Sequence, residues 1–212
     1  MKLWLKILII TVILPCRVFS NIDKFEGKIK IVKESIYDTL RVEVSVKGNI
    51  VRIDEINSQN KTQQSYLIDL AKEKMYALSI KDKRYAEIPL RPASKVDQNT
   101  EFIKTANCME INGELCYQWR VRNKSKNSEL TYWVAPHDYG FMKSLVNILR
   151  RSDIPFEILS QFPEINGYMP LLSVERTLLR KVKMSARVID IVPAKLPENL
   201  FTIPPGYREL LG

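Results

Sequence analysis

The sequence predicts a mainly β fold of the α+β class. It reads as one curved antiparallel sheet, or half-open barrel, of about 8–11 strands, covered by a helical insertion near residues 138–162. Three observations lead there. Apolar and polar residues alternate at period two through most of the chain. Turn residues punctuate those runs. The period changes to that of a helix just after His137.

The strands follow in order. In "LRVEVSVKGNIVRIDE" Val42, Val44 and Val46 alternate up to Gly48-Asn49. A two-residue turn there sets Val46 against Val51 and Val44 against Ile53, all on one face, as a half-buried hairpin requires. "SYLIDLAKEKMYALSI" repeats the design around Lys72-Glu73, with Leu70 expected opposite Met75 and Leu67 opposite Leu78. "KDKRYAEIPL" adds a strand that Pro89 and Pro92 end, and residues 91–100 read as a loop. A cysteine-bearing hairpin and "SELTYWVAP" follow. Asp138 is placed to cap a helix in which Phe141, Leu145, Ile148 and Leu149 form an apolar stripe, with Met142 and Val146 beside it. Arg150 and Arg151 fall at its C-terminal end, where the helix dipole favours cations. "PFEILSQF" is a second short helical piece. Strand period then returns, placing Val182, Met184, Ala186, Val188 and Val192 on one face. The proline-rich end is expected to dock on the sheet edge. No repeat or flexible linker divides the chain, so residues 21–212 read as a single domain.

The first residues describe a secretory signal peptide. Lys2 and Lys6 precede an apolar run from Leu3 to Leu14, and Val18 and Ser20 suit a cleavage site after Ser20. An uncleaved anchor is the alternative, but the run falls short of the ~20 residues a spanning helix needs. Pro15 before Cys16 argues against lipidation. Removing residues 1–20 takes Lys2, Lys6 and Arg17 and no acid, so the net charge falls from +9 to +6. In an exported protein, this basic balance fits a solvated surface or anionic headgroups better than nucleic acid.

Export makes Cys108 and Cys116 candidates for a structural disulfide, with free thiols as the alternative. A three-residue loop, Ile111-Asn112-Gly113, would set Cys108 opposite Cys116, Met109 opposite Leu115 and Glu110 opposite Glu114. Met109, Leu115, Tyr117, Trp119 and Val121 would then share one face. The same register would set Lys104 against Arg120, two like charges. A metal site is poorly supported, because zinc wants four ligands and His137 is the chain's one histidine.

An N-terminal "FEGKI" strand, "VKGNIVRID", "YLIDLAKEKMYAL", "DKRYAEIP", "INGELCYQWRV", a helical insertion and a closing "LFTIPPGY" occur in that order. The chain thereby resembles periplasmic proteins with the fold of the bacterial outer-membrane lipoprotein carriers (LolA/LolB-like). The resemblance is strongest to an uncharacterised group that ends in a Phe-x-x-Pro-x-Gly-Tyr pattern, here Phe201, Pro204, Gly206 and Tyr207. It implies a half-open barrel covered by helices, with an apolar cavity. In the carriers that cavity holds acyl chains.

No catalytic signature emerges. His137 reads as a loop residue, and no glycine-rich cradle, paired-carboxylate or metalloprotease motif occurs. Asn60-Lys61-Thr62 reads as a polar loop. No cofactor or metal is expected. The expected function is non-enzymatic binding of an acyl chain, lipid or lipoprotein-like ligand in the periplasm, with transient contact to envelope membranes or an envelope protein. Phe141, Leu145, Ile148, Leu149, Tyr76 and Trp119 are the candidate ligand-facing residues. Tyr85 and Trp133 are open between core, rim and ligand. The alternative is an envelope interaction module with a filled core.

Overall fold

The structure is a computed structural model, and it describes residues 25–92, 99–137, 139–152 and 167–210. The expected signal peptide, the expected cap Asp138 and the expected second helical piece, residues 155–162, lie outside the described residues. Twelve strands hydrogen-bond into one sheet. They are β1 (Gly27–Ser35), β2 (Thr39–Lys47), β3 (Ile50–Ile56), β4 (Thr62–Asp69), β5 (Lys74–Ser79) and β6 (Arg84–Glu87), then β7 (Thr100–Ile111), β8 (Glu114–Asn123), β9 (Ser128–Ala135), β10 (Met169–Arg176), β11 (Val182–Pro193) and β12 (Arg208–Glu209). The order across the sheet is β12-β6-β5-β4-β3-β2-β1-β11-β10-β9-β8-β7. Two antiparallel meanders are therefore joined where β1 pairs with β11. Among the described residues only β12, on β6, is parallel. The sheet is open, with β12 and β7 as its edges. It has more strands than expected and does not close. Among the described residues of the connection between β9 and β10 lies one helix, α1 (Phe141–Arg151).

Turn chemistry decides each register. Gly48 takes φ +58, the turn is two residues long, and Val46 pairs with Val51 and Val44 with Ile53 as expected. The β4–β5 turn is longer. The Asp69 carboxylate accepts from the Ala71 and Lys72 amides at 3.1 and 2.9 Å, and Glu73 takes φ 49. This four-residue loop pairs Ile68 with Met75 and Leu67 with Tyr76, not Leu70 with Met75. In β11 an irregularity brings Val188 opposite Ile31 and Ile191 opposite Ile29, so Ile191 takes the place expected of Val192, which is exposed.

The cysteine hairpin departs most from expectation. Asn112 (φ 55) and Gly113 (φ 80) are both left-handed, which makes a two-residue turn. Ile111 then pairs with Glu114, Met109 with Cys116, and Cys108 with Tyr117. A slip of one residue sends neighbouring side chains to opposite faces. Cys116 is buried, Cys108 is exposed, and both thiols are free. The expected Cys108–Cys116 disulfide is thereby corrected. Lys104 pairs with Trp119 rather than Arg120, and its Nζ sits 4.5 Å from the Trp119 ring centroid, a cation–π contact in place of the expected repulsion.

The two faces of β1–β5 are covered differently. Ile29, Val44, Ile53 and Ile68 form one core with α1. The opposite face carries the C-terminal segment. Lys47 Nζ donates to the Leu196 carbonyl (2.6 Å) and Arg52 Nη1 to that of Leu200 (3.2 Å). The Asp54 carboxylate holds Arg52 at 2.9 and 3.0 Å. The segment then reaches the sheet edge, where Arg208 N donates to Lys83 O and Leu210 N to Tyr85 O. A second cluster, Trp119, Val121, Leu130, Tyr132 and Val134, packs with Tyr168, Met184 and Ala186.

This register predicts distinct thiol behaviour. In the native protein a maleimide should modify Cys108 rapidly and leave Cys116 intact, because burial raises the Cys116 thiol pKa and Glu114 adds to the rise. Both should react in denaturant without reductant. Protection of Cys108 that reductant abolishes would contradict the register.

Candidate functional site

The site is the layer between α1 and the sheet. The helix lacks a side-chain N-cap among the described residues: Gly140 holds that position, and no acid occupies the first turn. Tertiary burial must therefore hold it in place. Phe141, Met142, Leu145, Val146, Ile148 and Leu149 are all at most 7% exposed, while Lys143, Ser144 and Asn147 face solvent. The C-terminal end is tied down by ion pairing. Arg151 Nη1 donates to Glu73 Oε2 in the β4–β5 turn (2.5 Å), and its Nε donates to the Arg91 carbonyl (2.9 Å).

The N-terminal end opens on a cleft of about 320 Å³. Phe25, Leu70, Ala71 and Phe141 supply apolar walls, and Gly48, Asn49 and Ser144 supply polar edges. An aromatic series builds the wall beside it. Phe25 meets Tyr139 edge-on (centroids 4.8 Å) and Phe141 at 5.8 Å, and His137 stacks on Tyr139 at 5.3 Å. His137 Nε2 is paired with the Glu114 carboxylate, which orients the ring. Burial raises the Tyr139 pKa, and Glu114 raises it further. Gly27 lets the chain run tight here. A Cβ on it would sit 2.3 Å from the Val192 carbonyl oxygen and 3.1 Å from the Phe25 ring.

Farther along the strands the same face turns polar. Glu55 pairs with Val42 and Gln64, in the alternation that carries Ile53 and Tyr66. Burial raises the Glu55 pKa, and Lys33 opposes the rise. Burial also pushes the Tyr66 hydroxyl up to about 12, with Glu55 contributing. The layer thus runs from an apolar, open end to a charged one.

The structure brings together four of the six residues expected to face a ligand: Phe141, Leu145, Ile148 and Leu149. Phe141 alone of these lines the cleft. Tyr76 lies on the opposite face of the sheet, in the alternation of Leu67 and Leu78, while Met75 and Ala77 pack in the α1 core. The Tyr76 ring meets Tyr85 at 6.2 Å. Trp119 belongs to the second cluster, 4.8 Å from the Tyr168 ring. Trp133 is half-buried and packs against the α1 core, and Tyr85 sits beside the C-terminal strand. Sequence reasoning missed Phe25, Leu70, Tyr139 and Glu55. The Phe-x-Gly spacing of Phe25 and Gly27 was the one available signal for the cleft wall. No group of three or more His, Cys, Asp or Glu that could hold a metal occurs among the described residues. No described helix is long and apolar enough to cross a membrane.

A family model for a domain of unknown function, DUF4412, matches residues 25–207. The chain belongs to the DUF4412 family. That match spans both meanders and α1. No curated protein matches the chain. Among solved structures, an uncharacterized conserved protein from Thermus thermophilus aligns with a TM-score of 0.56 at 10% identity, covering 88% of this chain and 90% of that one. The two share a fold. A DUF1329 family protein from Desulfovibrio piger aligns with a TM-score of 0.36 at 10% identity, covering 85% and 91%. A putative outer membrane lipoprotein-sorting protein domain from Vibrio parahaemolyticus aligns with a TM-score of 0.33 at 11% identity, covering 82% and 87%.

Glu55 offers a test of the polar end. A carboxyl whose folded pKa is raised stabilises the fold below its unfolded pKa and loses that contribution as pH rises through the folded value. Glu55→Gln should therefore raise the midpoint of urea unfolding at pH 7 and leave it nearly unchanged at pH 3.5. A lower midpoint at pH 7 would show that the Lys33 pairing outweighs the cost of burial.

Proposed function

We propose that this DUF4412 protein is exported to the periplasm. There it binds an acyl chain, lipid or lipoprotein-like apolar ligand between α1 and the sheet, and carries it without catalysis. The observation that carries this reading is the cleft at the N-terminal end of α1. Its apolar walls are continuous with the six buried apolar side chains of the helix. A chain end that enters beside Phe25 and Phe141 would extend by displacing helix contacts. Each methylene buried contributes about 0.8 kcal/mol. The open edge beside Asn49 and Ser144 leaves a headgroup in water. The lipoprotein-carrier resemblance of the sequence supports the same reading. The partners are the ligand and, transiently, an envelope membrane or envelope protein, not nucleic acid.

A second reading has its own support. Leu145, Ile148 and Leu149 are each 1% exposed. A core already this well filled suits an envelope interaction module that holds no ligand.

Native mass spectrometry with lipid extraction separates the two. Protein recovered from the periplasm should carry one lipid per chain. Ala71→Trp, at an exposed position on the cleft mouth, should keep the fold and lower lipid occupancy by about tenfold, ~1.4 kcal/mol. A bare mass that gains nothing on incubation with envelope lipids would favour the filled module.

A further inference from the structure

Among the described residues the three most exposed large apolar side chains are Tyr37 (91%), Leu179 (89%) and Ile36 (62%). They sit in just two turns. Ile36 and Tyr37 lie between β1 and β2, and Leu178 and Leu179 between β10 and β11. The register sets these turns side by side on one rim. Ser35 pairs with Met184 across the β1–β11 seam, and Arg176 pairs with Val182 at the mouth of the second turn. Arg176 also pairs with Glu129, so the β8–β9 turn, residues 124–127, comes next.

Internal hydrogen bonds hold these turns. Ser35 N donates to Asp38 O (2.8 Å), and the Tyr37 and Asp38 amides donate to Ser35 Oγ at 3.2 and 3.1 Å. Arg180, at φ 67, donates its amide to Thr177 O (2.8 Å), and Lys181 N donates to Thr177 Oγ1 (3.1 Å). Leu178 N donates to Asn127 Oδ1 (3.2 Å), which ties the second and third turns together. The apolar side chains are therefore displayed by an ordered backbone, and single exposed apolar residues would not need this support.

Cations flank Leu178 and Leu179. Lys124, Lys126, Arg180 and Lys181 are exposed and form no ion pair among the described residues. Among the described residues the carboxylates of Glu34 and Asp38, beside Ile36 and Tyr37, accept only from the Ser185 hydroxyl and the Thr39 amide, whereas the acids nearest Leu178 and Leu179 are occupied by cations. Glu129 accepts from Arg120 (2.5 Å) and Arg122 (2.9 Å), and Glu175 from Lys183 (3.1 Å). Burial would raise the Glu129 pKa, but these two arginines hold it below the usual carboxylate range. Behind Leu178 lies a cleft of about 290 Å³ lined by Arg120, Arg122, Lys124, Arg176 and Arg180 around that carboxylate. Apolar tips that project outward, with unpaired cations beside Leu178 and Leu179 and an arginine-rich cleft behind them, match a surface that is anionic outside and apolar a few ångströms below.

We propose that this rim docks on an anionic lipid bilayer. Ile36, Tyr37, Leu178 and Leu179 enter the boundary between headgroups and acyl chains, and Lys124, Lys126, Arg180 and Lys181 hold the headgroup phosphates. Each cation near such a surface strengthens binding by about fivefold at moderate ionic strength, and the apolar tips add burial that salt does not screen. The rim is distinct from the α1 cleft, so this inference does not rest on the ligand reading.

The test is flotation with vesicles of phosphatidylcholine containing phosphatidylglycerol. The unsubstituted protein and its variants carry the same N terminus, so residues 1–24 contribute equally. The protein should float with the anionic vesicles and stay behind with pure phosphatidylcholine. Leu178→Ser/Leu179→Ser should weaken binding by about tenfold or more, and Lys124→Ser/Lys126→Ser/Arg180→Ser/Lys181→Ser by more than that. Far-ultraviolet circular dichroism reads folding of each variant. In the otherwise unchanged protein, Leu179→Trp should add blue-shifted emission when anionic vesicles are present. Equal binding of the unsubstituted protein and the serine variants would overturn the proposal. So would equal binding to neutral vesicles, no flotation at all, or a Leu179→Trp spectrum unmoved by vesicles. Loss of lipid from the α1 cleft would leave all of these readouts unchanged.

Discussion

The pairing of β1 with β11 is the constraint on which the rest of the structure depends. It joins the start of the domain to its end. Lys30 bridges to Asp190 at 3.0 Å across 160 positions of sequence, and the Ser185 hydroxyl donates to Glu34. Closing so long a loop costs entropy before any pair forms, though the cost grows only slowly with length. The return is large in kind. Each meander alone would present a bare strand edge to other chains, and the seam removes both edges at once. Gly27 is the residue that permits it, since a side chain there would collide with the Val192 carbonyl. Asn112, at the tip of the cysteine hairpin, adds a side-chain donor to the Val188 carbonyl (2.9 Å).

Once the seam exists, one continuous face must be covered. Val44, Ile53 and Ile68 from one meander and Val188 and Leu171 from the other share one core cluster with the buried side chains of α1. At eleven residues and without a side-chain N-cap among the described residues, the helix depends on its burial. On the ligand reading proposed above, α1 is the element that an apolar ligand offering equivalent contacts would displace. The cleft beside Phe25 and Phe141 marks where that exchange would begin. The opposite face has no such freedom, because the C-terminal segment is fixed there through Lys47 and Arg52.

Short-range features of this fold are legible in the sequence, and long-range ones are not. Val44, Val46, Val51 and Ile53 were placed correctly because a two-residue turn at Gly48-Asn49 leaves one possible register. The stripe of α1 was legible for the same reason, since its period is local. The cysteine hairpin misled because glycine at position 113 suits two turn types. The left-handed backbone of Asn112 selects between them, and an asparagine adopts that conformation without announcing it. Tyr76 was misplaced because an aromatic side chain suits either face; its parity with Leu67 and Leu78, which the longer turn leaves unchanged, puts it away from α1. Trp119 and Val121 are buried as an apolar face requires, whereas Met109, Leu115 and Tyr117, grouped with them, are exposed; the partners of Trp119, Tyr168, Met184 and Ala186, are distant in sequence. Phe25 carries the cleft wall through contacts with residues more than a hundred positions away, which no periodicity reports.

The central claim is that α1 is a separable cover over a face held by the seam. Hydrogen–deuterium exchange on lipid-free protein, repeated with palmitate, tests it directly. The amides of α1 should exchange well before those of β1 and β11, and palmitate should slow α1 while leaving the seam unchanged. Exchange of α1 only through global unfolding, at the same rate as β1 and β11 and indifferent to palmitate, would contradict the account.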